Sequence, residues 1–537
     1  MSGEGYDGDS RPPRKPGRPR KERPDPPAGE SADGTIRITA GHLPDAVDAA
    51  EAALVAGGPG PVFQRAGMLV HVANRPARRS DGSLDEQQAV AAVETGALME
   101  LFAKAAVFER FDARLGDWKR IDPPGKLAEA YFARARWRLP DLHQLIGGPC
   151  LRADNSLLIR PGYDAATGLY LLSDLPGLSV PDRPSDAQAS AANDLLVGIF
   201  DSFPFVQDPP GLALSVALAG LIGAVLRPTL PAAPLIGVTA PAAGTGKSYL
   251  VDLIAMVATG RPAVGVATGA KPEEFEKSLG SALIEGRPLL LLDNMVQSLA
   301  GQLLCMTLSQ ERVSIRLLGL SKTIEVPTSA ALFATANNLQ VKGDMARRAL
   351  LCRLDAAVER PEDRDFDGDL LAEARRRRAE LVGAVLTVAR WHGRDPAPRA
   401  GRRFAGFEAW CARVRDPLLA LGHADPVAAL DVTRGTDPDS ARLAGLIEQW
   451  AAAFGEDSKT CAEVIHEAQK TDGWGAFNYP DLMDALSAAT KDRPGAVSSP
   501  KLAAFLRRFE DKIVGNRRFR TDGKSRKVIK WRLDHVS

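Results

Sequence analysis

Lys247 and Ser248 stand directly after a loop of small residues, Pro241 to Gly246 (PAAGTG). An ammonium and a hydroxyl side by side, behind glycines that let backbone N–H groups converge, suit a polyphosphate and its divalent counter-cation. In that chemistry Gly244, Thr245 and Gly246 cradle the phosphates, Lys247 reaches the β- and γ-phosphates, and the Ser248 hydroxyl joins the Mg²⁺ shell. The elements that must hold these groups are readable. Leu235 to Val238 is a short apolar strand, and a helix opens at Gly246, Lys247 and Ser248 and runs to Val257. Strand, small-residue loop and helix N-terminus in succession aim unpaired N–H groups and the positive end of a helix dipole at one point. One position departs from the G-x-x-x-x-G-K-[ST] pattern, because its first glycine is Pro241, which predicts a different backbone geometry at the start of the loop.

A second apolar run, Pro288 to Leu292, reads as a buried parallel strand ending in Asp293 and Asn294. A carboxylate at the C-terminal end of such a strand, beside a phosphate loop, is placed to hold a Mg²⁺-bound water. Residues 313 to 327 alternate β-prone stretches around Leu318 to Ser321 and predict a hairpin carrying Arg316 and Lys322 near its tip. A further apolar strand, Ala330 to Ala334, ends in Thr335, Ala336, Asn337 and Asn338; an amide there can hydrogen-bond a γ-phosphate or an attacking water. GDMARR follows, with Arg347 and Arg348.

The order of phosphate loop, LLLLDN, basic hairpin and FATANN resembles the superfamily-III-type helicases of the AAA+ class, found in replication proteins of phages, plasmids and integrated elements. The stretch from Phe203 to about Gly422, with VKGDMARRALLCRLD and FEAWCARVRDPLLALGHADP, is similar to helicase-type ATPases of bacterial prophages. The resemblance implies that ATP and Mg²⁺ are bound through Lys247, Ser248, Asp293 and Asn337. It implies that Lys322 or Arg316 touches DNA in the channel of a hexameric ring of identical subunits. Arg347 or Arg348 would act on the neighbouring subunit's nucleotide, neutralising charge that develops in phosphoryl transfer. Asn294 stands where many such ATPases carry a glutamate that polarises water. An amide cannot take a proton, so either another carboxylate serves or positioning and electrostatics carry the step.

Composition bounds the rest. The chain has 537 residues, enough for about three domains, and 68 basic against 67 acidic residues, so affinity for nucleic acid must come from local clusters. One cluster lies in a Pro-, Gly- and Asp-rich segment, residues 1–34, expected to be disordered. Its KPGRPRK resembles an AT-hook with Arg18 at the centre, a form that lies in narrow A·T minor grooves; a plain basic tail would also gain DNA affinity through counterion release. The other cluster spans Lys501 to Arg532, with twelve Lys or Arg against three acidic residues. Two short amphipathic helices, about Thr460 to Gln469 and Tyr479 to Ala489, precede it. A third follows, with Ser499 as N-cap and Pro500 at the first helical position, then two strands across an Asp522–Gly523 turn. Three helices and a basic hairpin predict a winged helix that meets duplex DNA through Arg507 and Arg508 on the third helix and Arg517, Arg518, Arg520, Lys524, Arg526 and Lys527 on the wing.

Residues 35–182 read as mixed α/β, with strands near Ile36 to Thr39 and Met68 to Val72 and helices near Asp45 to Val55, Glu86 to Lys104 and Lys126 to Arg134. No convincing carboxylate pair of the kind two-metal chemistry needs occurs there, so an accessory or assembly domain is expected. The five cysteines lack C-x-x-C spacing and read as reduced core residues of a cytoplasmic protein, and no His/Cys group has zinc-ligand spacing. Gly211 to Leu226 is uncharged but short for a membrane span, and a buried helix is expected; no signal-peptide pattern is read at the N-terminus. Arg375 to Arg378 is read as a solvated helix face.

The expected architecture is α/β: a P-loop AAA+ type core at 183–360, an accessory domain at 35–182, a helical lid region at 361–455 and a winged helix at 456–537. Three functions fit it: a DNA helicase or translocase for a mobile element, served by a separate primase or other replication protein; a DNA-tethered ATPase that loads or remodels such a partner; and a nucleotide-regulated DNA-binding regulator.

Overall fold

The computed structural model describes residues 34–57, 62–78, 84–269, 271–316, 323–363, 368–394, 401–472, 475–525 and 528–536. Arg18, Lys322, Arg526 and Lys527 lie outside them. The chain divides into two compact units, one made of residues up to 64 with 68–71 and 92–139, the other of 65–67, 72–91 and 140–537. The boundary expected at 182 therefore falls inside the second unit. Hydrogen bonds show why: Arg413 donates to the carbonyls of Leu151 and Arg152 at 3.2 and 3.1 Å, and Gln144 to that of Arg287 at 3.3 Å.

The first unit packs helices Leu43–Ala56, Thr95–Ala105 and Gly125–Ala133 beside a three-stranded sheet of Thr35–Ile38, Val107–Asp112 and Asp117–Ile121. Ile36, Phe102, Phe108 and Tyr131 fill its core. Glu51, buried here, accepts from the Tyr131 hydroxyl and from Arg138 N–H at 3.3 and 2.7 Å. The helix expected over 86–104 begins only at Thr95, because Leu84–Ala92 is a strand bonded to Met68–Arg78. Strand pairing there overrides the helix-favouring Gln and Ala content.

The second unit is built on a parallel sheet of β1 (Leu235–Ala240), β2 (Leu289–Leu292), β3 (Ala331–Asn337) and β4 (Ala349–Arg353), in the order β2-β3-β1-β4. Gly265 extends the β2 edge by a parallel bridge to Leu291. All six residues of β1 and all four of β2 are buried, the pattern of strands covered on both faces. Helix α1 (Leu212–Leu226) lies against the sheet so closely that a Cβ on Gly220 would sit 3.2 Å from Phe333 and 3.5 Å from Ile236. The 18-residue stretch Leu212–Thr229, α1 together with the short turn Arg227–Thr229 after it, is long and apolar enough to cross a membrane, but 83% of it is buried inside the fold. Helix α2 (Lys247–Thr259) follows β1.

Arg378 corrects the reading of residues 375–378 as a solvated face. Its guanidinium donates to the carbonyls of Val257, Ala258 and Gly147 at 2.9, 3.1 and 3.1 Å, and burial pushes its pKa down to about 10. The last two of the four arginines differ in role, since Arg377 pairs instead with Glu373 and Glu380. The carbonyls at the end of α2 have no partner within the helix, and a long cation arriving from elsewhere in the chain supplies one.

Toward the C-terminus, helices α3 (Cys461–Ala468), α4 (Pro480–Thr490) and α5 (Ser499–Arg508) precede an antiparallel ribbon of β5 (Arg517–Ser525) and β6 (Val528–His535). The short strand Lys459–Thr460 pairs with β6 on its other side. Thr460 and Glu463 form a reciprocal capping box on α3. Leu502, Leu506, Phe519, Trp531 and Leu533 share one core with Trp450. Two details differ from expectation. Ser498 rather than Ser499 occupies the N-cap of α5, and Asp522–Gly523 is a bulge within β5, where the register shifts between Thr521 and Lys524. Gly523, at φ 72°, accommodates the kink.

Candidate functional site

The loop from Pro241 to Gly246 joins β1 to the N-terminus of α2. Its left-handed turns fall at Gly244 (φ 73°) and Gly246 (φ 93°). Position 241 thus need not supply a positive φ, and proline is accommodated there. Gly244 is also sterically required: a Cβ would lie 2.9 Å from the Glu362 backbone nitrogen. Gly246 caps α2, leaving the first N–H groups of the helix facing the loop. Thr245 is buried and donates to Ala242 O at 2.8 Å.

Lys247 donates to Ala242 O at 2.8 Å, and burial lowers its pKa while the nearby Asp293 carboxylate opposes the shift. Ser248 Oγ donates to Asp293 Oδ1 at 2.8 Å. The pairing of Leu292 with Ala334 sets Asp293 beside Thr335, whose hydroxyl donates to the same Oδ1 at 2.5 Å. Asn337 ends β3 in register with Ala240, the last residue of β1 before the loop, and is exposed. Loop, carboxylate and amide, distant in sequence, thus meet at the C-terminal edge of one parallel sheet.

Asn294 sits in the left-handed region at φ 47°, as does Asn338 at 48°. Asparagine tolerates this region better than glutamate does. The backbone at 294 therefore gives a physical reason for an amide at this position.

The same edge holds residues that no sequence pattern marks. A cavity of about 350 Å³ opens beside Gly244 to Gly246, walled by Phe203, Pro204 and Tyr249 and by Gly368 to Leu370. The Phe203 and Tyr249 rings lie 6.3 Å apart at 33°. Phe203 stands more than 40 residues upstream of Lys247, and no local pattern ties it to the loop.

Arg347 and Arg348 share a single partner, each forming an ion pair with the Asp344 carboxylate. They differ in access, with side chains 55% and 11% exposed. Arg348 Nε is buried without a hydrogen-bond partner among the described residues. The two guanidinium groups hold the Asp344 carboxyl well below its ordinary range.

The hairpin pairs Arg312–Arg316 with Thr323–Pro327, antiparallel. Val313, Ile315, Ile324 and Val326 are buried, while Arg312, Ser314 and Arg316 line the exposed face. Lys322, the other hairpin cation, belongs to the segment outside the described residues.

At the C-terminal cluster the expected cations divide. Arg508 pairs with Asp439 at 2.9 Å, Arg518 and Arg520 with Asp511 at 3.7 and 3.0 Å. Arg507, Arg517 and Lys524 are exposed and form no ion pair among the described residues.

No protein-family model matches the sequence, and no curated protein matches it significantly. Among solved structures the chain is similar to the apo A form of the NrS-1 C terminal region, with a TM-score of 0.34 and 13% identity over 81% of this chain and 98% of that one. It is similar also to the JCV helicase, with a TM-score of 0.21 and 12% identity over 46% of this chain and 68% of that one. Likenesses this distant do not establish a shared function.

Proposed function

We propose that the chain is an ATP-hydrolysing DNA helicase or translocase acting in replication of a mobile element, with a P-loop core of AAA+ type. The observation that carries this reading is the meeting of Lys247, Ser248, Asp293 and Asn337 at one edge of a parallel sheet, with Ser248 hydrogen-bonded to Asp293. The helix N-terminus and the glycine loop bind the triphosphate, and Lys247 leaves its contact with Ala242 O for the β- and γ-phosphates. Ser248 and Asp293 are hard oxygen donors and fit Mg²⁺. The cation, when bound, neutralises phosphate charge. Asn337 orients water or the γ-phosphate. The cavity beside Phe203 and Tyr249 takes the base by its apolar, aromatic walls.

In this reading the subunits form a hexameric ring. Arg347, the more exposed of the pair, leaves Asp344 for the neighbour's γ-phosphate. The exposed face of the hairpin contacts DNA, and the three helices and ribbon at 456–537 act as a winged helix that holds duplex through Arg507, Arg517 and Lys524.

Asn294 favours a second reading, an ATPase that loads or remodels a replication partner without unwinding, because slow hydrolysis suits a switch. A strand-displacement assay on forked duplexes of both polarities separates the two. Unwinding in one polarity is expected of the helicase; DNA-stimulated hydrolysis with no unwinding in either would leave the remodelling ATPase. For the hairpin, Arg316→Ala combined with Lys322→Ala is expected to remove most DNA stimulation of hydrolysis while leaving the DNA-free rate near wild type. Stimulation that survives the double change would remove the hairpin from the DNA path.

A further inference from the structure

Thr335 is 1% exposed and lies beside Asp293 in the register of β2 and β3. Two hydrogen bonds fix its hydroxyl. It accepts from the Asn294 backbone N–H at 2.9 Å and donates to Asp293 Oδ1 at 2.5 Å. A threonine hydroxyl carries one proton. With the Asn294 amide supplying the incoming bond, that proton is committed to the carboxylate. Ser248 Oγ donates its own proton to the same Oδ1 at 2.8 Å. Oδ1 therefore receives two donors, whereas Oδ2 has no hydrogen bond among the described residues. The serine oxygen, its one proton engaged in that hydrogen bond, keeps its lone pairs free, and these with Oδ2 are acceptor positions of the kind a divalent cation requires.

We infer that Thr335 is a positioning residue for a divalent-cation site: clamped by the Asn294 N–H, its hydroxyl fixes the Asp293 carboxylate so that Asp293 and Ser248 together present oxygen lone pairs beside the phosphate loop. The inference rests on the nucleotide reading above. It also gives residue 294 a task that its backbone performs. The left-handed turn sends the Asn294 N–H to Thr335, and the side chain need not act as a base for the position to matter. Threonine suits the place twice over, since its branched Cβ packs in a buried strand and its hydroxyl can accept and donate at once.

The test titrates Mg²⁺ into the full chain with a fluorescent N-methylanthraniloyl ATP and reads binding, apart from turnover. Thr335→Val keeps the branched shape and loses the hydroxyl; Thr335→Ser keeps the hydroxyl. The valine variant is expected to raise the Mg²⁺ concentration for half-maximal binding by about tenfold or more, the usual effect of removing a group that orients a metal ligand. The serine variant should stay near wild type, and binding of the analogue in EDTA should be equal in all three. A valine titration that coincides with wild type overturns the inference. Should the valine variant fail to fold, Thr335→Ala makes the same comparison, and a wild-type-like Mg²⁺ titration there overturns it equally. Failure of the wild-type chain to bind the analogue, with Mg²⁺ or in EDTA, would instead remove the nucleotide reading and this inference with it.

Discussion

Lys247→Ala is expected to lower ATP hydrolysis by about 10²–10³-fold or more, the scale of removing one preorganised donor from developing negative charge. The structure makes the change local. In its resting position Lys247 donates to a carbonyl of its own loop and is half-buried. Losing that one hydrogen bond costs about 1 kcal/mol of net stability, small beside the loss of a phosphate contact. The left-handed glycines at 244 and 246 shape the loop without the lysine. Steady-state hydrolysis should therefore collapse while the denaturation midpoint barely moves. A variant that hydrolyses ATP at the wild-type rate would show that the loop is an ordinary βα turn.

The largest loss of stability is expected at Arg227, which no motif marks. This residue is 2% exposed, and its guanidinium donates to Ala330 O at 3.1 Å, to Leu230 O at 2.5 Å and to Thr328 O. Burial pushes its pKa down to about 10, so it remains charged at neutral pH and is balanced by carbonyl dipoles, with no ion pair among the described residues. Arg227→Met fills similar volume but leaves three buried carbonyls without donors, each costing about 1–3 kcal/mol. A total near 3 kcal/mol or more is expected in chemical denaturation followed by tryptophan fluorescence. Arg227→Lys should recover part of it, since an ammonium cannot reproduce the planar fork. Because Thr328 and Ala330 lead directly into β3, weaker nucleotide binding should accompany the loss. A methionine variant as stable as wild type would remove Arg227 from this role.

Lys247, Ser248, Asp293 and Asn337 were legible in the sequence because each belongs to a short local pattern: a glycine loop before a helix, or an apolar run that ends in a polar residue. The hairpin was legible too, since alternation within five residues fixes which side chains are buried. Arg378 was not. Its neighbours Arg375 to Arg377 look solvated, and the carbonyls it caps lie some 120 residues away in sequence at the end of α2. Thr335 stood in plain view within FATANN, but its role depends on the β2–β3 register, which no local pattern contains. Leu84–Ala92 misled because Gln and Ala favour helix and only pairing with another strand decides otherwise. Asp522–Gly523 has the composition of a hairpin turn, yet the strands pair on both sides of it and make it a bulge. The ion pairs that Asp439 and Asp511 make with Arg508, Arg518 and Arg520 were equally hidden, since charge density counts cations without their partners.

In the proposed function this sheet edge hydrolyses ATP in a way that DNA controls. Steady-state ATP hydrolysis by the full chain, measured with and without Mg²⁺ and across a titration of forked DNA, tests it most directly. Mg²⁺-dependent hydrolysis that rises as DNA is added and disappears in Lys247→Ala is the expected result. A rate indifferent to DNA, or no Mg²⁺-dependent hydrolysis at any DNA concentration, would contradict it.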